Sequence, residues 1–139
     1  MKKAVLYFSA TGTTRQAART IARQQNADLI EIVPETPYTA ADLDWTNRQS
    51  RNVLEHNDRT CRPAIKNLPD LSDYEEIWLG FPIWWYTAPQ IVFTAVEKLP
   101  AHCTVTPFAT SGGSTIAKSE KDLKAIASPS ITWKPGLMM

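Results

Sequence analysis

Several features that mark common protein classes are scarce in this sequence of 139 residues. It has only two cysteines, Cys61 and Cys103, and neither has metal-ligand spacing around it, so we expect free thiols in a reducing compartment. The 15 basic and 14 acidic side chains nearly cancel, which argues against nucleic-acid and membrane-surface proteins with their basic excess. No apolar run approaches the roughly 20 residues of a membrane span, and no convincing signal peptide is present, so we expect a soluble cytoplasmic domain.

The common nucleotide-binding motifs are also missing. Neither the Gly-Lys-Ser/Thr ending of a P-loop nor the pattern G-x-G-x-x-G occurs, so a nucleoside triphosphate or a dinucleotide is not expected. The cysteine-phosphatase pattern C-x5-R-[ST] follows neither cysteine. A receiver domain needs acidic residues just after its first strand, where this chain has Ser9 and Ala10.

What the sequence does contain is an alternation of short apolar runs and helical patterns, typical of a single α/β domain over residues 1–139. Such alternation predicts a parallel sheet with helices on its faces. Ligands of these sheets bind beyond the carboxyl ends of the strands. Strands are predicted at 4–8, 28–34, 75–81, 103–110 and 130–135, and helices at 14–24, 47–56, 87–99 and within 112–127.

The loop "SATGTT" after the first predicted strand contains hydroxyl residues and one glycine but no lysine. It opens a helix, so its backbone N–H groups lie at a helix N-terminus, where anions bind. Gly12 lets the backbone turn tightly or approach a ligand. The loop therefore predicts a site for a single terminal phosphate, and the alternative is an ordinary Ser/Thr helix cap.

The loops after the third and fourth predicted strands differ in character. "GFPIWWYTAP" brings Trp84, Trp85 and Tyr86 to the ligand edge, which suggests stacking on a flat ring, with a hydrophobic lid as the alternative. "TSGGS" has two adjacent glycines that leave backbone amides free to approach a ligand, with a plain turn as the alternative. Three such loops at one sheet edge are more specific than any one of them.

On "YFSATGTT", "GFPIWWYTAP" and "PFATSGGS", in that order, and on the linker "DLDWTNRQSRNVLEHNDRTCRPAI", the chain resembles the flavodoxin family over almost its whole length. The resemblance implies a doubly wound five-stranded parallel sheet of strand order 2-1-3-4-5 and a non-covalently bound FMN. It implies no catalytic and no metal-binding residue. The implied contacts are Ser9, Ala10, Thr11, Gly12, Thr13 and Thr14 for the phosphate; Pro82, Ile83, Trp84, Trp85 and Tyr86 on one side of the ring; and Thr110, Ser111, Gly112, Gly113 and Ser114 on the other.

The expected function is FMN-dependent electron transfer to a redox partner protein or a small-molecule acceptor, without nucleic acid or membrane as partner. One alternative is an FMN-dependent NAD(P)H:quinone-type reductase, and another is a non-redox module that binds a phosphate ligand. Many flavodoxins are strongly acidic, and this chain is neutral, which puts a basic partner in doubt. His56 and His102 are expected at the surface without a catalytic or metal-binding role.

Flavodoxin-like chains usually have a fifth helix after the fifth strand, and only "GLMM" follows "SITWKP" here. With right-handed crossovers, the first helix alone would then cover one face of the sheet. An apolar strip is therefore expected on that face, covered by a second copy in a homodimer, by another protein or by the tail.

Overall fold

Strands and helices alternate along the chain in the computed structural model, which describes residues 2–110 and 115–139. Each predicted strand and helix has a counterpart, although the ends of several differ by a few residues. Within the described residues the strands are β1 (Lys2–Tyr7), β2 (Asp28–Glu31), β3 (Tyr74–Pro82), β4 (Thr104–Thr110), β5 (Thr132–Trp133) and β6 (Leu137–Met138), and the helices are α1 (Thr13–Gln25), α2 (Arg51–Asn57), α3 (Gln90–Val96) and α4 (Ala117–Ile126).

The sheet is parallel throughout and has the order β2-β1-β3-β4-β5. This is the predicted topology, and it confirms the flavodoxin-like fold with four helices in the described residues. The order places the carboxyl ends of β1, β3 and β4 side by side. The three loops singled out in the sequence therefore begin at one edge of the sheet.

The fifth strand was predicted to end at Pro135, but β5 ends at Trp133 and the pairing with β4 resumes after Pro135. After β5, the chain continues beside β4, where β6 pairs Leu137 with Phe108 and Met138 with Ala109. The backbone N–H groups of Thr132, Lys134 and Met139 donate to Cys103, Val105 and Ala109, so the pairing with β4 shifts by one residue between β5 and β6. At Gly136 a Cβ atom would lie 2.9 Å from the Ile116 side chain, so the glycine permits this close approach.

The larger part of the core lies on the face of the sheet opposite α1. It packs Leu6, Leu79 and Val105 of the strands against Ile91 of α3 and Leu123 of α4, all completely buried. Each such side chain contributes about 1.5–3 kcal/mol relative to exposure. The smaller core, on the α1 face, joins strand residues to Ala18 and Ile21 of the helix.

The apolar strip expected across several strands of the α1 face is reduced, in the described residues, to Leu29 and Leu137, which are 41% and 43% exposed at the two edges of the sheet. Trp78 is 6% exposed and Phe108 is completely buried, because the Phe108 ring lies against Gly80, where a Cβ atom would meet it at 2.1 Å. Nearer the amino ends of the strands, this face carries polar side chains. Lys134 Nζ lies 3.4 Å from Glu76 Oε1 and so reaches across β4, which lies between their strands.

Candidate functional site

The loop from Ser9 to Thr14 folds around the hydroxyl group of its own first residue. Ser9 Oγ accepts the N–H groups of Gly12 (3.0 Å) and Arg15 (3.2 Å). Gly12 has a φ of 97°, a left-handed conformation that disfavours any residue with a Cβ, and open space lies where that Cβ would be. Among the described residues, the N–H groups of Thr13 and Thr14 find no acceptor, so they can serve a bound anion.

A pair of buried hydroxyl groups joins this first loop to the end of β4. Thr14 Oγ1 and Thr110 Oγ1 lie 2.8 Å apart, and the two residues are 1% and 6% exposed. The Thr14 hydroxyl is therefore part of the frame of the site, whereas Thr11 and Thr13 are exposed. The predicted residues Ser111, Gly112, Gly113 and Ser114 follow Thr110 and lie outside the described residues.

The loop after β3 contains a tight turn with two aromatic residues in a strained conformation. Trp84 and Thr87 exchange backbone hydrogen bonds of 2.8 and 3.1 Å, and Trp85 and Tyr86 between them have φ values of 54° and 67°. Positive φ at both central residues defines a type I′ turn, which normally contains asparagine and glycine. The left-handed conformation costs about 1–2 kcal/mol for a residue with a side chain.

Side-chain contacts hold this turn in place. The Trp85 indole N–H donates to Asn52 Oδ1 at 3.1 Å, and the His56 ring stacks on Trp85 with 5.6 Å between centroids. Thr87 Oγ1 donates to Asp122 Oδ2 at 2.7 Å. His56, expected at the surface, is thus partly buried against an aromatic ring. Burial, helped by Arg59 and Lys118, lowers the pKa of His56.

Trp84 is supported from behind by two aromatic rings. Phe8, Tyr38 and Trp84 form a triangle with ring centroids 5.5–5.6 Å apart. Arg51 lies 3.8 Å from the centre of the Tyr38 ring, and the Tyr38 hydroxyl donates to the Glu55 carboxylate. Burial and this hydrogen bond to Glu55 raise the pKa of Tyr38, so the phenol stays neutral. Trp84 is therefore fixed by packing on a neutral, hydrogen-bonded cluster.

A cavity of about 500 Å³ connects the first loop with the aromatic turn. This volume falls within the range of about 300–1,000 Å³ typical of small-molecule sites, and none of the described residues lining the cavity is charged. Six of the predicted residues line this cavity, and the other described ones stand outside its lining: Ser9, Gly12, Thr13, Thr14, Pro82 and Thr110. The lining residues are Ala10, Thr11, Leu43, Trp45, Asn52, Ile83, Trp84, Trp85 and Tyr86.

Leu43, Trp45 and Asn52 of this lining were not predicted from the sequence. They belong to the linker between β2 and β3, whose hydrophobic pattern is mixed. One signal was present: Trp45 stands alone in the polar stretch "DLDWTN", where no core is available to bury it. Its side chain is 69% exposed. A large aromatic residue in that setting indicates a ligand contact more than a packing role.

A second depression, of about 770 Å³, lies along the outer side of α1 and includes Arg19, Arg23 and Leu29. It reaches Ala27, just before β2, and therefore lies toward the amino end of that strand. Because ligands of open α/β sheets bind at the carboxyl ends, we assign the site to the aromatic cavity.

Features of other site classes are not found in the described part of the chain. Cys61 and Cys103 are both free. Across residues 2–110 and 115–139, no three His, Cys, Asp or Glu side chains converge as metal ligands would. No helix in the same residues has the length and hydrophobicity needed to cross a membrane.

Comparison with known proteins agrees with this geometry. A family model described as flavodoxin matches residues 2–139. The chain belongs to the flavodoxin family. Among curated proteins, none matches this flavodoxin-family chain significantly.

Solved structures resemble this flavodoxin-family chain closely. One from Bacteroides eggerthii and one from Bacteroides uniformis, both provisionally named flavoproteins, are each 46% identical with a TM-score of 0.94. Each match covers 99% of this chain, and 87% and 88% of those chains, respectively. A flavoprotein in complex with FMN from Lactobacillus acidophilus shares the fold at 20% identity, with a TM-score of 0.78 over 99% of this chain and 92% of that one.

Proposed function

We propose that this chain binds one FMN non-covalently and acts as an electron-transfer protein. One observation carries the proposal: a single uncharged cavity joins a loop at a helix N-terminus to a cluster of aromatic side chains. These two ends correspond to the two ends of FMN, which are a terminal phosphate and a flat, largely apolar ring.

The phosphate end fits this ligand without a lysine. The first loop offers backbone N–H groups at the start of α1 and the exposed hydroxyl groups of Thr11 and Thr13. Each hydrogen bond to a charged acceptor contributes about 1.5–3 kcal/mol, so several of them hold a monophosphate. Arg15, the nearest arginine, is bound to Glu31 at 2.9 Å and need not take part.

The ring end fits as well. Ile83, Trp84, Trp85 and Tyr86 present apolar and aromatic surface from the edge of β3, and Leu43 and Trp45 present it from the linker. When bound, FMN supplies the redox chemistry, while the protein binds, orients and partly encloses it. The Lactobacillus acidophilus flavoprotein, named as a complex with FMN, supports this choice of ligand through its shared fold.

The proposal is tested by the visible absorption spectrum of the purified protein. We expect a yellow protein with the absorption of oxidised flavin, which dithionite bleaches and air restores. A protein that stays colourless after incubation with FMN and gel filtration would contradict it.

The uncharged lining supports a second candidate, an NAD(P)H:quinone-type reductase acting on a small neutral acceptor. Trp45 and Tyr86 are 69% and 70% exposed at the cavity and could contact such a molecule. Steady oxidation of NADPH by a quinone, without an added reductase, would favour this candidate over a carrier. For either function we propose a cytoplasmic location, in keeping with the two free thiols.

A further inference from the structure

The linker that carries Trp45 is an ordered series of turns. In the segment 39–50, here named the Trp45 turn, Thr39 and Asp42 exchange hydrogen bonds of 2.9 and 3.1 Å between backbone and side chain. The Asp44 carboxylate accepts the backbone N–H of Thr46 at 3.0 Å. Ser50, only 6% exposed, donates its hydroxyl to the Asp44 carbonyl at 2.6 Å. These bonds hold the backbone on both sides of Trp45.

Asn52 connects the Trp45 turn to the aromatic turn after β3. Its side chain is buried, with the residue 5% exposed, and Nδ2 donates to the Asp42 carbonyl at 2.7 Å. Its Oδ1 accepts the Trp85 indole N–H at 3.1 Å. One amide group thus contacts both of the segments that bring aromatic side chains to the cavity. It also adds a bond from Nδ2 to Ser50 Oγ, at 3.0 Å.

Both connected segments hold an aromatic side chain in solvent at a free-energy cost. Trp45 remains 69% exposed, so burial contributes little to its position. Tyr86 is 70% exposed and occupies a left-handed conformation. Side chains kept at a cavity in this way are poised to bind a flat ligand, because stacking would then bury surface that folding alone leaves in water.

We propose that Trp45 contacts the flavin ring and that Asn52 is a positioning residue, which sets the separation of the Trp45 turn and the aromatic turn. The inference rests on the proposed binding of FMN and extends it to residues outside the loops at the strand ends. Trp45 acts by stacking. Asn52 acts through two partners, the Asp42 carbonyl and the Trp85 indole.

The test uses apoprotein titrated with riboflavin and with FMN. In Trp45→Ala we expect riboflavin to bind about tenfold more weakly, as loss of one aromatic stacking contact predicts. The affinity for FMN should fall by a similar factor, so that the ratio of the two dissociation constants stays within about twofold of the wild type, because the phosphate loop is untouched. Asn52→Ala should also bind both riboflavin and FMN more weakly than the wild type does.

Asn57→Ala serves as the matched control, because Asn57 lies on the same helix and is exposed. We expect it to bind both flavins as the wild type does. A merely structural role for Asn52 would lower stability but leave the bound flavin unchanged. The visible circular dichroism and the residual fluorescence of the flavin are therefore measured at saturation, where positioning predicts a changed signal.

Three outcomes separate the hypotheses. If wild-type apoprotein binds no flavin, the proposed function fails, and this inference falls with it. If the wild type binds but Trp45→Ala leaves riboflavin affinity unchanged, the stacking role is refuted. If Asn52→Ala is less stable yet gives wild-type dichroism and fluorescence at saturation, Asn52 is not a positioning residue. Trp45→Ala replaces an exposed side chain, so it keeps the test decisive even if Asn52→Ala does not fold.

Discussion

Thr14 Oγ1 and Thr110 Oγ1 share a buried hydrogen bond of 2.8 Å between residues 96 positions apart in the chain. The bond joins the first turn of α1 to the carboxyl end of β4. It therefore ties the loop at the helix N-terminus to the strand that leads into the third loop. The Thr14 hydroxyl thus belongs to the frame of the site, whereas the hydroxyl of the adjacent Thr13 is proposed to contact the phosphate.

Thr14→Val tests that division. The substitution keeps the shape but leaves the Thr110 hydroxyl buried without its partner, so the free energy of unfolding should fall by about 1–3 kcal/mol. Urea denaturation of the apoprotein measures it. The double variant Thr14→Val/Thr110→Val should recover much of the loss, since both polar groups are then gone. Equal losses in the single and double variants would show that the pair does not stabilise the fold.

Thr13→Val is the complementary change, because Thr13 is exposed in the same loop. It should leave the urea midpoint of the apoprotein nearly unchanged and weaken FMN more than riboflavin, since it removes a hydroxyl donor to the phosphate. Equal weakening of both ligands would mean that Thr13 does not contact the phosphate.

Gly80→Ala should strongly destabilise the protein. A Cβ atom at this position would lie 2.1–2.8 Å from three atoms of the Phe108 ring, which is completely buried. Overpacking of this kind costs about 1–3 kcal/mol or more, and the melting temperature reports it. Phe108→Leu in the same chain should relieve part of the cost, so the double variant should lose less than the sum of the two single losses. Additive losses would show that the two sites do not touch.

His56 should make stability depend on pH. Its pKa is lowered in the folded protein, by burial first and then by Arg59 and Lys118, while Asp122 opposes the shift. The unfolded chain therefore binds the proton more readily, and stability should fall as pH drops below the ordinary histidine value of about 6.5. The loss is complete once the pH is below the folded pKa. Melting temperatures at pH 7.5 and 5.5 should differ less in His56→Gln; an unchanged difference would contradict this assignment.

The fold and the two described loops at the strand ends were predictable because their signals are local. β1 ends in the apolar run predicted at its buried residues, and the loop before α1 has hydroxyl residues at a helix N-terminus. Parallel pairing of such strands leaves few topologies. The observed order β2-β1-β3-β4-β5 is one of these few, and it is the order that the family resemblance implied.

The side of the cavity that Leu43 and Trp45 form was not predictable in the same way. Leu43 and Trp45 reach the cavity through turns held by side-chain-to-backbone hydrogen bonds, which leave no periodic pattern. The expectation of a continuous apolar strip on the α1 face failed for a different reason. Phe108 fills the space over Gly80, and Lys134 and Glu76 form an ion pair across part of the same face. The number and order of the helices do not reveal such side-chain packing.

The homodimer through that face stays a prediction: the continuous strip that motivated it is absent from the described residues, but Leu29 and Leu137 on that face are 41% and 43% exposed. Light scattering over a range of concentrations tests it, with a mass of two chains as the predicted result. A mass of one chain at every concentration would contradict it.

Titration of the apoprotein with FMN and, separately, with riboflavin tests the central claim most directly. We expect micromolar FMN to saturate the protein at one molecule per chain and the flavin fluorescence to be quenched, because the ring enters an aromatic cavity. Riboflavin should bind much more weakly, because it has no phosphate for the loop before α1 to bind. No quenching and no thermal shift with FMN, or equal affinity for the two flavins, would contradict it.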